Sequence, residues 1–259
     1  MPTSPYSLVG NFYILNYMYY QNSEDVRQGK FASFHKDFSV KKQLLSEKHV
    51  DLIASSNIFT LQEKLRLLEL VSSSSFRVAT DIGVSLSERC SVETGKYTIL
   101  DETILKHLTN ELSNLPFYFT RINASRVDNE TGKLNYLSLF MISPNEFCIE
   151  YIKNFHQSFG AYEHGIINGY PTSTIQAYLT FLERLDNRIL DAETTIATNF
   201  IGPGYYSKNF WDIEKLHYDK ILQDVTNIAP MNLINEASQK LSEFKDRQAK
   251  IWNSIDTNS

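Results

Sequence analysis

The residues whose types and spacing could do chemistry gather in HGIINGYPTST, residues 164–174. Imidazole is the side chain that exchanges protons near neutral pH, so His164 is the candidate catalytic acid or base. Asn168-Gly169 suits the end of a helix, because both residues tolerate left-handed backbone. Pro171 suits the first position of the next helix, running to about Leu185 with Ile175, Tyr178, Leu179 and Leu182 inward. Tyr170 would then be the cap, where a phenol does not accept from the following amides as Ser or Asp would. The amides of Thr172 and Ser173 need an acceptor from elsewhere. Water would serve, as would Glu163 or His164 reaching back. So would a small anion held by amides, helix dipole and the hydroxyls of Thr172, Ser173 and Thr174. The candidate ligand-binding residues are therefore Tyr170, Thr172 and Ser173, with Asp81 or Arg77 approaching from the sheet. A purely structural corner is the rival reading; it explains Gly169 and Pro171 but not Tyr170.

The pattern H-x-x-x-x-G-Y-P-x-x-x-x-x-A-Y, here His164, Gly169, Tyr170, Pro171, Ala177 and Tyr178, resembles a helix corner in uncharacterised prokaryotic proteins. It covers about a tenth of the chain, and the resemblance implies no activity. Where such proteins carry a Cys pair after the Pro, this chain has Ser173 and Thr174.

Other signatures fail on a specific atom. Thr94-Gly95-Lys96 lacks the first glycine of a phosphate loop, with Cys90 in its place, and Tyr97 stands where a magnesium-binding hydroxyl belongs. Gly202-Pro203-Gly204 lacks the third glycine of a dinucleotide fingerprint, and Tyr205 and Tyr206 would crowd a pyrophosphate, so it reads as a turn. The six histidines are scattered, with no pair at helical spacing, and no metal site is expected. Asp128-Asn129-Glu130 lacks the later ligands of a calcium loop. No cofactor is indicated.

A net charge of −5 and the absence of any basic run argue against nucleic-acid or anionic-membrane binding. Cys90 and Cys148 lie far apart, as reduced thiols of a cytoplasmic protein would. The sequons at Asn123 and Asn129 read as chance matches. The N-terminal stretch 8–20 is apolar but too short and too interrupted by Asn for a membrane span, and its periodicity leaves strand and helix open.

The elements that would position a site follow from hydrophobic period. Residues 41–71 read as helical, with Thr60 and Glu63 forming a capping box for the second helix. FRVATDIGVSL (76–86) alternates as a strand, with Arg77, Ala79 and Asp81 on its small or polar face. Asp101 caps a helix ending before Pro116. Residues 117–125 and 134–142 form a hairpin whose second arm is apolar on both faces. Ser143 caps a further helix with Pro144 at its first position. Residues 194–200 suggest a short strand, and helices span about 208–226 and 232–252. The last has Ile234, Ala237, Leu241, Phe244 and Ile251 on one stripe.

The expected fold is α+β: a central antiparallel or mixed sheet flanked by helices, with a helical C-terminal third. The expected organisation is a single domain over 1–259, helical at 41–71, with a sheet core at 76–142 and helical again at 143–259. Two functions remain open. One is a binding protein or enzyme for a small anionic ligand at the 164–174 corner. The other is a non-enzymatic interaction or assembly protein that docks a protein partner, or its own copy, on the C-terminal helix or the aromatic N-terminus, with an exposed patch at Ile234, Leu241 and Phe244 as its signature. Oligomeric state is left open.

Overall fold

The computed structural model describes residues 45–257, apart from 73, 76, 85–90, 95–96, 101, 128–133 and 181–182. The stretch 8–20, Cys90, the Asp101 cap and the hairpin loop's Thr131-Gly132 lie outside the described residues.

The chain opens with α1 (Glu47–Ser55) and α2 (Leu61–Glu69). The Thr60 capping box forms: Glu63 N–H donates to Thr60 Oγ1 at 3.3 Å and Thr60 N–H to Glu63 Oε2 at 2.7 Å. Two orphan amides are thereby satisfied by side chains. After α2 come β1 (Thr80–Val84), β2 (Ser91–Thr94), β3 (Tyr97–Leu100), α3 (Glu102–Ser113), β4 (Tyr118–Val127) and β5 (Leu134–Ser143). The sheet is mixed. β5 pairs antiparallel with β4 along its length and with β1 from Thr80↔Ile142 to Val84↔Ser138. It meets β3 in parallel over Tyr97↔Leu134 and Thr98↔Asn135, and β2 closes antiparallel on β3.

β5 is covered on both faces, as its unbroken apolar run requires. Phe140 and Ile142 join the larger core, with Leu65 and Leu68 of α2 and Leu105, Leu108 and Leu112 of α3. Met141 and Leu139 face the smaller one, with Ile122, Cys148, Ile149 and Ile152. β1 starts later than the expected strand over 76–86. It begins at Thr80, and Arg77, Val78 and Ala79 before it are all buried. The supposedly polar face is roofed over because Val78 and Ala79 donate their amides to Ile167 O at 3.0 and 3.3 Å.

The helix after β5 is α4 (Glu146–Phe155), and its cap is Asn145, which corrects the expected Ser143. Asn145 Oδ1 accepts from the amides of Phe147 at 2.9 Å and Cys148 at 3.4 Å. Ser143 is instead the last residue of β5, and its hydroxyl donates to Val78 O at 2.6 Å. Beyond a single tight turn lie α5 (Ala161–Ile167), α6 (Thr172–Leu179) and α7 (Asn187–Glu193). α6 stops six residues short of Leu185 because Arg184 folds back on its last turn. Arg184 Nε donates to Ala177 O at 2.9 Å and Nη2 to Tyr178 O at 2.8 Å, satisfying carbonyls that a longer helix would have bonded.

Residues 194–200 are not a strand. Ala197–Ile201 is a wide helical turn, closed by Gly202 N–H on Ala197 O at 3.0 Å. The β-branched threonines favour it by bonding locally: Thr195 N–H donates to Thr198 Oγ1 at 2.8 Å. α8 (Trp211–Thr226) and α9 (Met231–Asp256) complete the larger core with Trp211, Tyr218, Ile221, Val225, Leu233 and Ala237. Ile234 packs against that core, and Leu241 and Phe244 are half-buried. Among the described residues no helix is long and apolar enough to cross a membrane.

Candidate functional site

The corner between α5 and α6 is built as its sequence requires. Gly169 has φ +73°, its amide donates to Ile166 O at 2.9 Å, and Tyr170 N–H reaches back to Gly165 O at 2.9 Å. Those two bonds satisfy the last carbonyls of α5 while turning the chain, and a Cβ at residue 169 would strain the left-handed backbone. α6 then crosses close to α5. A Cβ on Gly165 would lie 2.5 Å from Ile175 Cγ1, so glycine is what allows that approach.

Beneath the corner is a buried polar cluster. Arg77 is fully buried; its Nε donates to Glu69 Oε2 at 2.7 Å and its Nη1 to Asn168 Oδ1 at 2.7 Å. Nη2 takes Ile201 O at 3.0 Å, and the guanidinium lies 5.4 Å from the centre of the Tyr170 ring. Burial pulls the Arg77 guanidinium toward losing its proton. The carboxylate of Glu69 outweighs this, with a further contribution from Tyr170, and holds it above its ordinary value. Asn168 completes the link by donating to His164 O at 3.0 Å. The Asn-Gly step is therefore held from below as well as by its own turn.

Above the corner opens a cavity of about 500 Å³. α5 contributes His164, the corner Tyr170, and α6 Thr174 and Tyr178. Asp81 enters from β1, Arg66 from α2, and Tyr205 from the turn after Gly202. Phe159 closes one side, with its ring edge-on to His164 at 5.7 Å between centroids. Tyr178 and Tyr205 pack ring to ring at 4.9 Å, and Arg184 lies 5.5 Å from each of their centroids. Phe159 and three tyrosines thus give the walls ring surface, and a cation already fixes two of the rings in place.

Two charged groups on the wall have unusual freedom. Arg66 donates through Nη2 to Gly202 O at 2.9 Å, while its Nε is buried without a hydrogen-bond partner. Asp81 is half-buried, and its carboxylate makes no hydrogen bond or ion pair with a described residue. Neither pairs with the other, although both face one cavity.

The structure divides the sequence candidates. His164, exposed at the mouth, and Tyr170 line the cavity, and so does Asp81. Thr172 and Ser173 are not on its wall; Thr174 is. Arg77 lies behind Tyr170 rather than in the opening. Glu163 accepts from Gly160 N–H at 3.0 Å and so caps its own helix instead of reaching the corner. Ser173 points into the protein, where its hydroxyl donates to Glu214 Oε1, and Ser207 N–H donates to Glu214 Oε2 at 2.9 Å. The chain thus supplies its own carboxylate near the start of α6. Burial drives that carboxyl up to about 7, against the hydrogen bonds from Ser173 and the Ser207 amide, which pull it down. Glu214 also ties α6 to the turn that carries Tyr205, so it fixes two walls of the cavity relative to each other.

Arg66, Tyr178, Tyr205 and Glu214 were not singled out as site residues from sequence. Glu214 had a signal: with Trp211, Tyr218, Ile221 and Val225 it falls on the inward stripe of α8, where a carboxylate is out of place. Arg66 and Tyr205 had none, since each reaches the cavity only through tertiary packing. Among the described residues no cluster of His, Cys, Asp or Glu could hold a metal ion. No family model, curated protein or solved structure matches the chain.

Proposed function

We propose that the cleft above the α5–α6 corner binds a small ligand through an anionic group, with Arg66 as its counter-charge. The observation that carries this reading is the Arg66 guanidinium itself: it sits on the cavity wall, no carboxylate of the described residues pairs with it, and of its three nitrogens only Nη2 makes a hydrogen bond, to Gly202 O. An arginine left so is suited to take a carboxylate or phosphate by charge-assisted hydrogen bonds. Tyr170, Tyr178 and Tyr205 supply apolar ring surface for the rest of the ligand. The volume falls within the range of small-molecule pockets, about 300–1,000 Å³. His164 stands at the mouth as the group able to exchange a proton with a bound molecule. Thr172 and Ser173 take no direct part, because neither lines the cavity and the Ser173 hydroxyl is committed to Glu214.

The test is thermal denaturation in the presence of 3-phenylpropionate or inorganic phosphate, for the wild type and for Arg66→Gln. A probe at about one hundred times its dissociation constant stabilises the folded chain by roughly 2.7 kcal/mol. That gain should vanish in Arg66→Gln while its melt without probe stays cooperative. If neither probe stabilises the wild type, the reading is wrong.

A further inference from the structure

Resting on that reading, we infer that the ligand is a zwitterion of the α-amino-acid kind: its acid group meets Arg66, its protonated amine meets Asp81, and an apolar or aromatic side chain lies against the tyrosines.

Asp81 carries the step beyond a simple anion site. It is a half-buried carboxylate on the wall of a cleft with no hydrogen bond or ion pair to the described residues, Arg66 and His164 included. A carboxylate in an anion site repels the ligand unless the ligand also brings a positive charge. Arg66 and Asp81 line the same cavity and do not pair with each other. Two opposite charges held on separate elements, α2 and β1, are complementary to a molecule that carries both charges apart. A pure anion would meet repulsion from Asp81, and a pure amine would meet it from Arg66. The aromatic wall suits this class, because an ammonium group is also attracted to ring faces.

The experiment measures binding of three probes by calorimetry at neutral pH: L-phenylalanine, 3-phenylpropionate and 2-phenylethylamine. They share a ring and differ only in which charges they carry. Each is titrated into the full chain, into Asp81→Asn and into Arg66→Gln. Asp81→Asn keeps the side-chain shape and breaks no side-chain hydrogen bond or ion pair with a described residue, and circular dichroism and melting verify that it is folded. L-Phenylalanine should bind wild type about ten-fold tighter than 3-phenylpropionate, the worth of one charge-assisted contact. Asp81→Asn should erase that preference and leave 3-phenylpropionate binding unchanged or tighter.

Equal binding of acid and zwitterion, or a preference that survives Asp81→Asn, overturns the zwitterion assignment and leaves the anion site standing. Amine binding as tight as L-phenylalanine, and indifferent to Arg66→Gln, overturns the assignment and the anion reading together. So does the absence of binding by any of the three.

Discussion

Glu69 and Glu214 each sit on the inward stripe of a helix and are buried in it, 2% and 0% exposed, yet they are held in opposite ways. Glu69 has a cation: Arg77 at 2.7 Å, with the Ser75 hydroxyl also at 2.7 Å on the other oxygen. Glu214 has none. Its partners are the Ser173 hydroxyl and the Ser207 amide, and tyrosines 206 and 218 lie close by. The first arrangement keeps both charges in the interior and uses them to fasten α2, the corner and the turn at Ile201 together. The second accepts a carboxyl that takes up a proton readily, since burial opposes its charge and no cation offsets that. A buried charge is stable only with a countercharge or as its neutral form, and this fold uses both solutions within one neighbourhood.

The largest effect is expected from breaking the paired site. Glu69→Ala leaves the Arg77 guanidinium buried without its counter-ion, and should cost about 3–5 kcal/mol in denaturant unfolding. Removing both charges together, Glu69→Leu with Arg77→Met, should cost less than the single change. It should not be neutral, because Asn168 Oδ1 and Ile201 O would each lose a donor. A single variant within about 1 kcal/mol of wild type would show that the pair is not the fastening described here.

Next comes the unpaired site, through pH. Below the ordinary carboxyl value of 4.5 both folded and unfolded chains hold the Glu214 proton, and it contributes no pH dependence. Between 4.5 and about 7 the unfolded chain has released the proton while the folded chain keeps it, so stability falls as pH rises. Above that the full cost stands, about 3 kcal/mol for a shift of this size. Glu214→Gln keeps an acceptor for the Ser207 amide and removes the titration. It should therefore lie above wild type at pH 8 and show no loss from this group across the window. Wild-type melting that rises through this interval, with the variant following the same curve, would contradict the unpaired assignment.

The two sites also differ in how far sequence could reveal them. Period and caps made α2, β5, α8 and α9 readable, and the Asn-Gly turn followed from backbone preference alone. The same stripes could have flagged Glu69, four residues after Leu65, and Glu214, three after Trp211, as carboxylates on apolar faces. What no local pattern holds is the partner. For Arg77, strand alternation assigns a face but does not say what covers it. The cover, α5, arrives about ninety residues later, through Asn168. Arg66 and Tyr205 reach the cavity for the same reason, from parts of the chain joined only by packing. The errors at Ser143 and at 194–200 were local. In each, a side-chain oxygen with several possible backbone partners chose one that spacing did not single out, Val78 O for Ser143 and the next helical turn for Thr195 and Thr198.

The smallest effects separate the two sites most finely, because each carboxylate accepts from one serine hydroxyl. Ser75→Ala removes one donor from Glu69 but leaves Arg77 in place, so its cost should be about 1 kcal/mol and similar at pH 5 and pH 8. Ser173→Ala removes a donor from a carboxyl with no cation. At pH 5 the folded chain holds Glu214 protonated, the lost bond is a neutral one, and the cost is again about 1 kcal/mol. At pH 8 the lost bond is to a charged oxygen, and the cost should rise to about 2 kcal/mol. Losing that donor also lets burial push the Glu214 carboxyl higher, so the interval of falling stability should extend to more alkaline pH in Ser173→Ala than in wild type. Equal pH profiles for the two alanine variants would mean that the serines serve their carboxylates alike, and that the cation beside Glu69 makes less difference than its position implies.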